Sequence, residues 1–176
     1  IMIDEKDFLD LFIPGPVNVS KDCREKLALP MIAHRSTTMG DLHLDIASYL
    51  QKMLFTDNQI ILSTSSSTGL MEAAIRNCVG SDETVLSCCC GAFSDKWADI
   101  VESCGRQVDR LSVEWGQATT AELIDEKLAA GNYAALTMVY NETSTGLTNP
   151  IDEISKMMKA KYPDVLVFVD TVSGMV

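Results

Sequence analysis

The chain has 176 residues, 47% of them hydrophobic, and is therefore long enough to bury the core of one domain. Its 25 acidic and 14 basic residues give a formal net charge of -11, which disfavours a nucleic-acid backbone or an anionic membrane surface as partner. No apolar run reaches the length of a transmembrane helix, and the acidic start IMIDEKDFLD is unlike a signal peptide, so we expect a soluble cytoplasmic protein.

The N-terminal segment, residues 1–20, is predicted to be an arm that cannot form a core alone. Pro14 and Pro16 enforce extended backbone there, and Gly15 removes bulk between them.

Two helices are predicted to follow the arm. Ser20 is placed to cap a short helix that runs through Leu29 and stops before Pro30. Asp41 is placed to cap a second helix, whose apolar residues recur at helical spacing: Leu42, Ile46, Leu50, Met53 and Leu54.

The rest of the chain alternates between strand and helix patterns. The predicted strands are Gln59–Leu62, Thr84–Cys88, Gln107–Ser112, Tyr133–Tyr140 and Val165–Asp170. The predicted helices are Thr68–Val79, Ser94–Cys104, Thr120–Ala130 and Ile151–Lys161. This alternation predicts an α/β fold, with a mainly parallel sheet, right-handed crossovers and helices on both faces. The sequence stops six residues past Asp170, just after a strand, so we expect a longer protein.

The six cysteines lack the paired spacing of a zinc site, and adjacent cysteines suit a disulfide framework poorly. We predict reduced, mostly buried thiols and no metal site. A catalytic cysteine is the weaker alternative, because only His34 and His43 could serve as its base. The cysteines are Cys23, Cys78, Cys88, Cys89, Cys90 and Cys104.

The first chemical motif is the Ser/Thr-rich turn 63–69, which enters a predicted helix. Hydroxyls and unpaired backbone N–H groups at a helix N-terminus suit a phosphate group, although simple helix capping is an alternative. The turn lacks the Gly-Lys pair of a Walker A loop and the glycines of a dinucleotide fingerprint. A nucleotide-binding Rossmann-like domain is therefore the last of our alternatives.

Two further motifs follow predicted strands. Phe93 lies where a flat ring can stack on a flat ligand, although ordinary packing would also explain it. Residues 141–146, NETSTG, place small polar side chains after the strand ending at Tyr140. Their hydroxyls can donate to a phenolic oxygen or a ring substituent; a plain polar loop is the alternative.

The strand Val165–Asp170 is predicted to be buried on both faces, because its apolar residues are consecutive rather than alternating. Asp170 ends it, at the edge of the sheet that faces the ligand crevice. A carboxylate there can pair with the protonated pyridine nitrogen of pyridoxal phosphate and keep the ring an electron sink. Capping of the next turn is the alternative.

Together these motifs resemble the class V aminotransferases of the pyridoxal-phosphate fold type I superfamily. The likeness rests on NETSTG, on VDTVSG at residues 169–174, on the Ser/Thr turn and on the Pro-Gly-Pro arm. It is strongest for the branch of alanine–glyoxylate, serine–glyoxylate and serine–pyruvate aminotransferases, with related aspartate aminotransferases of methanogens. The resemblance implies that residues 21–176 are the N-terminal part of a fold type I (aspartate aminotransferase-like) large domain. The rest of that domain and a small domain would be absent.

The resemblance also implies a role for each motif. The phosphate of pyridoxal phosphate would lie on Ser66, Ser67 and Thr68. Its ring would lie between Phe93 and Val172, Thr143 would bond the phenolic side, Asp170 would pair with the ring nitrogen, and Gly15 would line the substrate side. The Schiff-base lysine of the family would come later, and no lysine follows Lys161. We therefore expect the chain by itself to be inactive.

The implied function is transamination between a small amino acid (alanine, serine or aspartate) and a 2-oxo acid, glyoxylate or pyruvate, in a homodimer. One alternative is another class V chemistry, such as a cysteine desulfurase-like lyase, which would want a histidine at the position of Phe93. The other is a non-catalytic truncated module that keeps the sheet.

Overall fold

The computed structural model describes residues 10–13 and 15–175, so residues 1–9 and Pro14 of the predicted arm lie outside it. The chain divides into two compact units, Ile1–Ser63 and Thr64–Val176. The boundary after residue 20 therefore stays a prediction. Among the described residues no helix is long and apolar enough to cross a membrane.

The first unit contains helices α1 (Lys21–Leu27) and α2 (Thr37–Met53). Ser20 caps α1 as predicted, since its hydroxyl accepts a hydrogen bond from the N–H of Cys23 at 3.4 Å. The prediction that Asp41 caps α2 is wrong. Ser36 is the cap, five residues earlier, and its hydroxyl accepts a hydrogen bond from the N–H of Met39 at 3.2 Å.

The predicted strand Gln59–Leu62 does not form. A strand exists only where its N–H and C=O groups pair with a neighbour, and no strand occurs in the described part of the first unit. Local β propensity was therefore misleading here.

The second unit carries the remaining elements. Its helices are α3 (Ser67–Cys78), α4 (Ala92–Ser103), α5 (Ala121–Ala130) and α6 (Ile151–Lys161). Its strands are β1 (Thr84–Cys89), β2 (Gln107–Ser112), β3 (Ala135–Val139), β4 (Asn141–Glu142), β5 (Leu147–Thr148) and β6 (Leu166–Asp170). The predicted elements after residue 63 are thus confirmed within two residues at every end, whereas β4 and β5 were not predicted.

Four of these strands form one parallel sheet in the order β2-β1-β3-β6. Alternate residues of the central strands face opposite sides. Val85 of β1 packs with residues of α3 and α4, whereas its neighbour Leu86 packs with residues of α5 and α6. The predicted α/β class, with helices on both faces of a parallel sheet, is confirmed.

The prediction that β6 is buried on both faces is wrong for this chain. Leu166 and Val167 are 44% and 37% exposed. The physical reason is position: within the described residues β6 pairs only with β3 and is an edge strand.

The cysteines divide into two exposed thiols, Cys23 and Cys78, and four buried ones. Burial raises the pKa of Cys89 to about 12 and also raises that of Cys88. Because the thiolate is the reactive species, we expect only two of the six thiols to react rapidly with a chromogenic disulfide reagent in the native chain. All six should react in denaturant, and fast native reaction of a third thiol would contradict the buried positions.

Candidate functional site

The order of the strands reverses between β1 and β3. The chain moves from β1 to β2 on one side, and β3 and then β6 lie on the other side of β1. In open α/β sheets, ligands bind outside the carboxyl ends of the strands at such a reversal. The segments that leave β1 and β3 at this point carry Phe93 and residues 141–146. The topology therefore selects this edge as the candidate site.

The N-terminus of α3 carries three of the predicted residues. Ser66 is its cap, and its hydroxyl accepts from the N–H of Gly69 at 3.4 Å. Ser67 and Thr68 are half-buried, and their hydroxyls make no hydrogen bond to another residue in the described parts of the chain. Ser66 is thus an ordinary helix cap, while two hydroxyls remain available at the positive end of the helix.

A cavity of about 350 Å³ lies beside this helix end. Its walls come from α3, from α4 and from β6 with the turn that follows. Ser67, Asp170 and Val172 all line it, so the fold brings three predicted residues to one space. Val172 is 72% exposed and offers an apolar surface. Trp97 also lines the cavity, and its buried Nε1 has no hydrogen-bond partner among residues 10–13 and 15–175.

Asp170 is the last residue of β6 and is half-buried. Its Oδ1 accepts a hydrogen bond from the N–H of Val172 at 2.8 Å, which is the turn-capping role given above as the alternative. Its Oδ2 has no hydrogen-bond partner in the part of the chain that the structure describes. The carboxylate of Asp170 can therefore cap the turn through one oxygen and accept a hydrogen bond from a ligand through the other.

Residues 141–149 form a small ribbon in which β4 and β5 pair antiparallel. Thr143 lies in the turn between them, half-buried, with no hydrogen bond from its hydroxyl to another described residue. Asn149 is buried at the base of the ribbon. Its Oδ1 accepts from the N–H of Thr119 at 2.9 Å, and its Nδ2 donates to the carbonyl of Val139 at 2.8 Å. Asn149 thereby fixes where the ribbon leaves the sheet.

Glu142 is a buried carboxylate that the sequence analysis missed. It accepts hydrogen bonds from the N–H groups of Phe93 and Ser94 and from the hydroxyl of Ser144, at 3.3, 3.0 and 2.6 Å. Burial acts to raise the pKa of Glu142, but these hydrogen bonds outweigh it and hold the pKa below its usual value. One signal was present in the sequence: Gly91 precedes α4 without a side chain to cap it, so that helix needs a remote acceptor.

A further hydrogen bond joins the ribbon to the turn after β6. Asn141 Nδ2 donates to Ser173 Oγ at 2.5 Å. The segments that carry Phe93, Thr143 and Asp170 are thus connected to one another by hydrogen bonds. Gly15 belongs to the first unit, and its place on the substrate side stays a prediction.

Comparison with known proteins gives one consistent result. A family model described as Aminotransferase class-V matches residues 26–176. The chain is 39% identical over 166 residues to an uncharacterized aminotransferase of Methanocaldococcus jannaschii, covering 94% of this chain and 43% of that protein. It is 32% identical over 168 residues to an L-aspartate–glyoxylate aminotransferase of Paracoccus denitrificans, covering 93% and 42%.

The fold is similar to that of solved proteins as well. An alanine–glyoxylate aminotransferase from Nostoc sp. superposes with a TM-score of 0.85 at 26% identity, covering 99% of this chain and 49% of that one. The chain thus spans less than half the length of the relatives that it matches.

Proposed function

Because the chain belongs to the class-V aminotransferase family, we propose that it forms the N-terminal half of a pyridoxal-phosphate site. The protein of which it is part would move an amino group between a small amino acid (alanine, serine or aspartate) and glyoxylate or pyruvate. Class-V aminotransferases use pyridoxal phosphate, so the cofactor follows from the family. The donor, the acceptor, a cytoplasmic location and a homodimeric state belong to the proposal.

One observation carries the proposal for the site. At one edge of the sheet, three kinds of group lie without an intramolecular partner among the described residues: the hydroxyls of Ser67 and Thr68, the hydroxyl of Thr143 and Asp170 Oδ2. Half-buried polar groups without an intramolecular partner are satisfied by water, so each of these groups is available to a ligand. Donors for a phosphate and a phenolic oxygen, and an acceptor for a ring N–H, are the groups that pyridoxal phosphate requires.

Each of these residues would then contact a different part of the cofactor. Ser66, Ser67 and Thr68 offer hydroxyl and N–H groups to the phosphate at the positive end of α3. Asp170 would accept a hydrogen bond from the protonated ring nitrogen through its Oδ2. Phe93, 41% exposed, and Val172 would hold the two faces of the ring.

When bound, the cofactor supplies an electron sink for the substrate's α-carbon. The negative charge of Asp170 would maintain this electron sink by keeping the ring nitrogen protonated. The lysine that must carry the α-proton does not occur after residue 161, so we propose that this chain alone has no turnover.

The test is an assay of the longer protein encoded by the gene that contains this sequence. We expect glycine from glyoxylate with at least one of alanine, serine and aspartate as donor, or alanine from pyruvate with serine or aspartate as donor. Alanine formed from cysteine, with sulfide released when a thiol reductant is added, would instead support the desulfurase-like alternative. Activity in neither assay would support a non-catalytic module.

A further inference from the structure

We propose that Glu142 is a positioning residue that locks the segment of Phe93 to the segment of Thr143, so that the two form one wall of the ring site. This inference rests on the proposed function, because it assigns a task at the same site. Phe93 and Thr143 lie on different elements, and neither is fixed by the other. Glu142 contacts both segments.

On the side of α4, Glu142 replaces a missing helix cap. Gly91 is the N-cap and has no side chain, so the N–H groups of the first turn need another acceptor. Oε1 of Glu142 accepts from Phe93 at 3.3 Å, and Oε2 accepts from Ser94 at 3.0 Å. A carboxylate at a helix N-terminus is also favoured by the helix dipole. The backbone of Phe93 is thereby held directly by Glu142.

The contact between Glu142 and the N-terminus of α4 requires a residue without a side chain at position 91. A Cβ atom built on Gly91 would lie 2.5 Å from Cγ and 2.6 Å from Cδ of Glu142, closer than real contacts allow. The absence of a side chain at Gly91 therefore makes room for the carboxylate.

On the side of the ribbon, Ser144 completes the connection. Its hydroxyl donates to Oε1 of Glu142 at 2.6 Å and accepts from the N–H of Ala92 at 3.0 Å. Thr143 lies between Glu142 and Ser144 in the sequence, and the side chains of both neighbours accept hydrogen bonds from N–H groups in the first turn of α4. The position of the Thr143 backbone therefore follows the position of α4.

The test substitutes Glu142→Gln in the 176-residue chain, with Glu126→Gln on the exposed side of α5 as the matched control. Gln keeps the size but places an NH₂ group against N–H donors, so one of the two segments must move. The ring probe is deoxypyridoxine phosphate, which has the cofactor's ring and phosphate but no aldehyde to react with surface lysines. The second probe is inorganic phosphate, which needs only the N-terminus of α3. Dissociation constants are measured by calorimetry and by phosphorus NMR.

Glu142→Gln should bind the ring probe about tenfold more weakly, because displaced positioning groups cost one to two orders of magnitude. It should bind inorganic phosphate as the unchanged chain does. A purely structural role would weaken both probes together and would overturn the inference, as would equal binding of the ring probe by Glu142→Gln and the unchanged chain. If the unchanged chain does not bind the ring probe, the proposed function fails first and this inference falls with it.

A milder variant covers the case in which Glu142→Gln does not fold. Ser144→Ala removes the bridge to Ala92 but keeps the charge of Glu142. We expect about threefold weaker binding of the ring probe, the typical effect of losing one hydrogen bond, with unchanged binding of phosphate. Unchanged binding of both probes by Ser144→Ala would contradict the connection through the ribbon.

Discussion

Asp170→Asn is expected to weaken binding of deoxypyridoxine phosphate by about tenfold to a hundredfold. Asn keeps an oxygen that can accept from the N–H of Val172, so the turn after β6 stays capped. It removes the negative charge that the protonated ring nitrogen needs. A hydrogen bond to a charged group contributes about 1.5–3 kcal/mol, which corresponds to this range of affinity.

The matched control is Asp164→Asn, in the exposed turn before β6. Titration calorimetry should give this variant the affinity of the unchanged chain. If Asp170→Asn also binds as tightly as the unchanged chain, Asp170 serves only as the cap of its turn, and its assignment to the ring nitrogen is wrong.

Asn149→Ala is expected to lower the free energy of unfolding by about 2–6 kcal/mol. The substitution leaves two buried backbone groups, the N–H of Thr119 and the carbonyl of Val139, without their partner. Each buried group left unpaired costs about 1–3 kcal/mol. Urea unfolding followed by circular dichroism measures the change.

The control for Asn149→Ala is Asn77→Ala. The side-chain amide of Asn77 is exposed and donates only to a carbonyl within its own helix, α3. Its effect should stay within about 0.5 kcal/mol, as is usual for surface positions. A loss at Asn149 no larger than that at Asn77 would mean that water replaces the amide, and that the ribbon is not held at its base.

The sequence was most informative where hydrophobic pattern and packing agree. The strands β1 and β3 are short and mainly apolar, β2 mixes apolar with polar residues, and each lies within two residues of its predicted place. Their parallel arrangement follows from the alternation of strands and helices, which leaves few topologies open. The sheet edge of Phe93, Thr143 and Asp170 could be predicted for the same reason, because strand ends fix which loops share an edge.

The parts that were not predicted depend on contacts distant in the sequence. Glu142 accepts hydrogen bonds from residues 48 and 49 positions earlier, which no local pattern reveals. The burial of the apolar run in β6 depends on which strands flank it rather than on its composition. Asp41 is of a residue type that often caps helices, but α2 already begins after Ser36, so Asp41 lies within the helix.

If the proposed site is correct, one edge of this sheet binds the ring and the phosphate of pyridoxal phosphate together. The most direct measurement is a titration of the isotope-labelled chain with deoxypyridoxine phosphate, followed by shifts of the backbone amide signals in NMR. We expect the amide signals of all five residues around the site to shift together along one binding curve: Ser67, Thr68, Phe93, Thr143 and Val172. Shifts confined to the N-terminus of α3 would mean that the chain binds only a phosphate, and shifts elsewhere would contradict the site.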